Sequence, residues 1–179
     1  MDDFDKVIRF DDYGRLAWLW SNSTLHRDWS TNFQARFLIP PIYLNQYILC
    51  CDDNKMPVAY CSWAWMSRAS EIKYLLDPSY LEPSSWNDGD RLWIIDFVSP
   101  FDLKNTKHLY QQVIHHFPNE HAHALRVKHD KEIAHVMSFT GANLDLDNRK
   151  AIKLTKFQEF KSLYLDREDF EGRFTTKNL

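Results

Sequence analysis

Apolar positions in this chain follow two rhythms, one close to the helical repeat and one alternating or continuous. Tyr13–Ser21 holds the dense set Leu16, Ala17, Trp18, Leu19 and Trp20, which predicts a short helix. Ser21–Ser23 breaks it, because serine and asparagine side chains compete for backbone groups. Ser30–Phe37 predicts a second helix, capped by Ser30 or Thr31 and ended by Pro40 and Pro41. Gln46–Cys51 and Val58–Met66 read as an antiparallel pair joined across Asp52–Pro57. Ser67–Leu76 has helical character, and Leu81–Gly89 is a loop. Asp90–Ser99 is apolar on both faces, hence a central strand, and Pro100 stops it. Leu103–Phe117 is a helix with Leu109, Val113 and Phe117 in one stripe, closed by Pro118. Two strands, Ala122–Val127 and Ile133–Phe139, flank a Lys128–Lys131 turn. Asp145–Tyr164 reads as a basic amphipathic helix with Arg149, Lys153 and Lys156 on one side.

These elements predict one α+β (or α/β) domain over residues 13–165, with no internal repeat and no linker. Residues 1–12 form an acidic loose end and residues 166–179 a tail. A length of 179 residues, 44% of them hydrophobic and 15% aromatic, suits one domain with a real core. Only Gly14, Gly89, Gly141 and Gly172 are glycines, too few for a glycine-rich phosphate loop, so P-loop and dinucleotide-binding readings fall away. The net charge of −3 resides in the first twelve residues, where five aspartates face Lys6 and Arg9. The rest is neutral, which argues against a general nucleic-acid binder. Cys50, Cys51 and Cys61 sit in apolar runs without a C-x-x-C pair and read as reduced core residues of a cytoplasmic protein. There is no export signal and no long apolar span.

Two stretches hold candidate chemistry. Leu16–Trp29 (LAWLWSNSTLHRDW) leads from an apolar, tryptophan-rich segment into a polar turn that ends on His26. Asp90–Phe101 (DRLWIIDFVSPF) carries one acid, Asp96, inside its apolar run, where an unpaired carboxylate costs several kcal/mol. The expectation is that the two meet as a base and the group that orients it. Pairing of Asp96 with Arg27 or Arg91 is the structural alternative, and a packed or surface role is the alternative for His26. His115-His116 and His121-x-His123 suggest metal, but neighbouring histidines on a helix point apart and the second pair lacks further ligands, so no metal is expected.

LAWLWSNSTLHRDW, Asn45–Tyr47 (NQY), Pro57–Ser67 (PVAYCSWAWMS), Glu71–Leu75 (EIKYL) and Gly89–Phe101 (GDRLWIIDFVSPF) together resemble the toxin-activating lysine acyltransferases, partners of the pore-forming RTX toxins. The match runs in order over roughly residues 16–140. It implies a GNAT-type N-acyltransferase fold, a single domain with a central, mostly antiparallel sheet flanked by helices. It also implies transfer of a fatty acyl chain from acyl carrier protein to internal lysines of an RTX protoxin. The family's catalytic histidine falls on His26, its aspartate on Asp96, and the serine of its S-x-L-H turn on Ser23. The family's PFG is here Pro100-Phe101-Asp102. Members commonly form homodimers, though no self-complementary surface is evident in this pattern.

The chemistry suits the residues. A lysine amine has a reference pKa near ~10.4, so only about one in ~10³ is uncharged at neutrality. Acylation therefore requires a base, and histidine titrates in the right range. A direct attack with His26 as base and a covalent acyl-histidine route both remain open. The chain lacks the R/Q-x-x-G-x-G/A loop with which coenzyme A-dependent enzymes hold a pyrophosphate. That lack fits a carrier-protein donor and no permanently bound cofactor. The acidic carrier has a candidate dock at Arg149, Lys153 and Lys156, and Trp18, Trp20, Trp63, Trp65, Trp93 and Phe97 are candidates to line an acyl groove. The competing function is a non-catalytic chaperone of an RTX protoxin, and a coenzyme A-dependent small-amine transferase is disfavoured.

Overall fold

The computed structural model describes residues 9–79, 81–126, 134–144, 146–165 and 174–175. The predicted Lys128–Lys131 turn and most of both termini lie outside the described residues. Five helices, α1 (Phe10–Ser21), α2 (Thr31–Leu44), α3 (Arg68–Leu76), α4 (Leu103–His116) and α5 (Leu146–Phe160), surround one sheet. Its strands are β1 (Tyr47–Cys51), β2 (Pro57–Met66), β3 (Arg91–Val98), β4 (His121–Arg126), β5 (Ala134–Thr140) and the short β6 (Phe174–Thr175), in the order β1-β2-β3-β4-β5-β6. The β1–β2, β2–β3 and β4–β5 pairs are antiparallel, while β3–β4 and β5–β6 are parallel.

Strand alternation divides the core into two layers. Tyr60, Ala64 and Met66 of β2 and Trp93 and Val98 of β3 face α1, α2, α3 and the end of α5, against Leu16, Trp20, Leu38 and Phe160. Cys61, Trp63, Leu92 and Ile94 face α4, whose Leu109, Val113 and Phe117 form the expected stripe. The result is a helix–sheet–helix sandwich with a mixed, mostly antiparallel sheet.

Several boundaries differ from expectation. Helix α1 starts at Phe10 rather than Tyr13, so Asp11 and Asp12 occupy its first turn, where carboxylates meet the positive end of the helix dipole. Pro40 and Pro41 do not end the second helix. It runs on to Leu44 because Phe37, Leu38, Pro40, Pro41 and Ile42 are all buried against the core, and that packing outweighs the two missing N–H donors. Asn45 then stops it in the left-handed conformation, with φ of 53°. The Leu81–Gly89 loop contains a turn of 3₁₀ helix at Pro83–Trp86. Gly89 is required there, since a Cβ would collide with the backbone of Met66 and Ser67.

Two of the three basic residues expected to share a face of the last helix have local partners. The Arg149 guanidinium turns inward, donating from Nε to the carbonyl of Leu144 and from Nη2 to that of Ala142. Lys156 pairs with Glu159 at 3.1 Å. Beyond α5, a π turn at Lys161–Leu165 carries Tyr164 into the core. There Glu71, 1% exposed, accepts from Tyr164 Oη, from Arg91 Nε and from Trp93 Nε1 at 2.7 Å. This buried hub ties α5 to α3 and β3.

Candidate active site

Helix α1 ends at Ser21, and the chain makes two tight turns before α2. His26 and Arg27 donate their backbone N–H groups to the carbonyl of Ser23, and Trp29 donates to that of His26. Ser30 then caps α2, its Oγ accepting from Phe33 N. These bonds fix the backbone of the turn, and aromatic packing fixes the ring. The imidazole of His26 stacks on Trp20 with centroids 4.4 Å apart and an interplanar angle of 27°. Trp29 meets it edge-on at 4.7 Å. His26 is consequently 4% exposed although it lies on a turn.

The three site residues named from the sequence come together. Ser23 Oγ lies 2.8 Å from His26 Nδ1, and Asp96 Oδ1 lies 3.2 Å from His26 Nε2. Neither alternative partner reaches Asp96: Arg27 pairs with Asp28, and Arg91 pairs with Glu71 and Glu159. A β-bulge delivers the carboxylate. Opposite Ser62 and Trp63, β3 places Asp96 and Ile94, so Ile95 is one residue extra. Asp96 therefore shares the face of Ser62 and Tyr60 and not that of Ile94. Its other oxygen, Oδ2, is buried with no hydrogen-bond partner among the described residues. Burial, and then the charge of Asp96, pushes the phenols of Tyr60 and Tyr74 up, which keeps both protonated.

Two clefts meet at this pair, and Leu25, His26, Ile95, Asp96 and Leu125 line both. The larger, about 690 Å³, lies where the parallel β3–β4 pairing stops. That pairing holds at Trp93–His123 and Ile94–Ala124 only. Beyond it the strands part, and Phe97, Tyr110, Met137 and Phe139 give the gap apolar walls, with Lys107 and Arg126 among its lining. The smaller, about 320 Å³, is walled by Trp29, Phe33, Phe37 and Tyr74 and includes Asp77. Of the six aromatics expected to line a groove, Phe97 does so. Trp20 serves His26, Trp63 and Trp93 are core, Trp65 packs edge-on against Phe117, and Trp18 packs against Phe101. Sequence reading missed Tyr60, Ser62, Phe33, Tyr74 and Asp77. The polar Ser62 two places after Tyr60 in an apolar strand was the one available signal.

The four histidines weighed as metal ligands have other surroundings. His115 Nδ1 bonds the carbonyl of Gln111 at 2.7 Å, and His116 packs on Trp63. His121 and His123 share a face of β4 with centroids 5.1 Å apart. Burial, reinforced by neighbouring cations, lowers them to about 4 and about 3, so both are neutral at pH 7. Among the described residues no three His, Cys, Asp or Glu side chains converge as a metal site. No described helix is long and apolar enough to cross a membrane.

A buried histidine–carboxylate pair thus stands where two clefts join. Comparison with known proteins gives the family. The sequence model of the RTX toxin acyltransferase family matches residues 6–140. The protein-lysine palmitoyltransferase CyaC of Bordetella bronchiseptica is 44% identical over 133 residues, 74% of this chain and 71% of that protein. The leukotoxin-activating lysine-acyltransferase LktC serotype A1 of Mannheimia haemolytica is 39% identical over 142 residues, 79% of this chain and 83% of its own. The RTX-I toxin-activating lysine-acyltransferase ApxIC of Actinobacillus pleuropneumoniae is 39% identical over 140 residues, 78% and 80% of the two chains. This chain is an acyltransferase and belongs to the RTX toxin acyltransferase family.

Proposed function

We propose that the protein transfers a fatty acyl group from acyl carrier protein to internal lysines of an RTX protoxin, on a GNAT-type scaffold, with His26 as base and Asp96 as its partner. The buried contact between His26 Nε2 and Asp96 Oδ1 at the junction of the clefts carries this reading. Ser23 supports it, because a hydroxyl either donates to Nδ1 or accepts from it. With Nε2–H held by Asp96 Oδ1, the basic nitrogen of the neutral ring is Nδ1, and Ser23 Oγ satisfies it in either charge state.

A lysine ammonium reaching the junction meets the unpartnered Asp96 Oδ2 and a ring whose Nε2–H is held by Asp96 Oδ1. One ammonium proton passes to Nδ1 by way of the Ser23 hydroxyl, and the free amine attacks the thioester carbonyl carbon. As the C–N bond forms, a second proton leaves the nitrogen for water, the C–S bond breaks, the carrier leaves as its thiolate, and the imidazolium gives its proton from Nδ1 to that sulfur. Asp96 and Ser23 hold the imidazolium meanwhile. Backbone N–H groups on the unpaired edge of β3 beyond Ile94 are suited to the oxyanion. The parted strands suit a thioester arm and acyl chain, and Lys107 and Arg126 suit the phosphate of that arm. They replace the Arg149 face as the cations for an acidic carrier.

The test is intact-mass analysis of a protoxin incubated with acyl-loaded carrier protein and this chain, beside its His26→Ala form. Wild-type protein adds one acyl mass per modified lysine and His26→Ala adds none. Equal modification by the two forms would remove His26 from the chemistry.

A further inference from the structure

The two clefts that share His26 and Asp96 differ in charge. In the larger, the charged side chains besides that pair are Lys107 and Arg126. In the smaller, the one further charged side chain is Asp77. Its carboxylate is fixed in a local turn, Oδ1 accepting from Ser79 N at 3.0 Å and from Ser79 Oγ at 2.6 Å. Trp29, Phe33, Phe37 and Tyr74 line the same cleft as Asp77 and the reactive pair. The volume, about 320 Å³, falls at the low end of ligand sites.

Two substrates of opposite charge must reach one pair of side chains. The donor arm carries a phosphate and a long apolar chain, whereas the acceptor is a cation on a four-carbon stem. We propose that the smaller cleft is the acceptor subsite, taking the side chain of the target lysine, with Asp77 as its specificity-determining charge. This assignment rests on the acyltransferase reading above and divides its two substrates between the clefts. Aromatic walls suit the lysine stem and attract its ammonium through their π faces. Asp77 gives the cleft the negative potential that draws the ammonium in, and Asp96, whose Oδ2 is unpartnered, lines the same cleft. The donor and its chain occupy the larger cleft, so the reagents meet from opposite sides of the pair and neither crosses the other's path.

The test is steady-state kinetics with a lysine peptide from a modified protoxin segment and acyl carrier proteins loaded with a series of chain lengths. Asp77→Lys is expected to raise the peptide KM about fivefold or more at low salt, an effect that shrinks at high salt. Donor KM and chain-length preference stay as in the wild type. Phe33→Trp, which narrows the same cleft, raises the peptide KM and leaves chain-length preference alone. An unchanged peptide KM in Asp77→Lys overturns the subsite while the acyltransferase reading stands. So does a shift toward shorter acyl groups in Phe33→Trp, which would make this cleft the acyl tunnel. A wild-type protein that acylates no protoxin lysine overturns both.

Discussion

Replacing Asp96 with asparagine isolates one quantity, the charge beside the His26 ring. The two side chains have nearly the same volume, and the amide oxygen can still accept from Nε2–H. At 3.2 Å and an effective dielectric of ~20, the attraction between carboxylate and imidazolium is about 5 kcal/mol. The amide dipole keeps part of it, so turnover should fall about a thousandfold, in line with comparable base–orienter pairs. Stability should move differently. Asp96 is 7% exposed and its Oδ2 has no partner, so the folded protein bears a desolvated charge that asparagine removes. Asp96→Asn should melt at or above the wild-type temperature. Single-turnover acyl transfer to a lysine peptide, with thermal melts of the same samples, reads both effects. The reasoning is refuted if the variant keeps more than a tenth of wild-type turnover. It is equally refuted if the variant melts low enough that unfolding accounts for its inactivity.

Ser23→Ala should cost about tenfold in turnover, one hydrogen bond to Nδ1, with circular dichroism unchanged. Glu71→Ala should destabilise the fold by about 3 kcal/mol in urea titrations, because Arg91 loses a buried partner and Trp93 and Tyr164 lose an acceptor. Gly89→Ala should also lower the urea midpoint, since backbone at Met66 and Ser67 leaves no room for a methyl group. His121 and His123 titrate below their ordinary value, at about 4 and about 3, so the unfolded chain binds protons that the folded one refuses. Their contribution is complete above pH ~6.5 and is lost as pH falls from there toward about 3. His123→Leu should flatten that part of the pH–stability curve, as followed by urea midpoints.

Much of the site was legible in the chain because its signals are local. An acid in an apolar strand must find a partner, a histidine closing a turn between tryptophans is held in one pose, and both readings needed only residue types and their neighbours. The Leu109–Val113–Phe117 stripe and the β1–β2 hairpin were legible for the same reason, since side-chain periodicity is a property of the chain itself. Pro40 and Pro41 were misread because propensity weighs a residue's own backbone, whereas the buried face of α2 is settled by what packs on it. For Arg149, helical spacing gave the side of the helix, while its bonds to the carbonyls of Ala142 and Leu144 could be seen only in the fold.

By itself, then, the sequence determined which elements form, which faces are apolar, and which side chains are able to do proton chemistry. Tertiary structure decided that the chemistry has a place. Strict alternation would have sent Asp96 to the α4 face with Ile94, and only the extra residue at Ile95, visible once β3 is paired with β2, turns it toward His26. The larger cleft likewise opens where β3 and β4 stop pairing after Ile94 and Ala124. Pairing register and the parting of strands are relations between segments far apart in the chain, and no single segment encodes them.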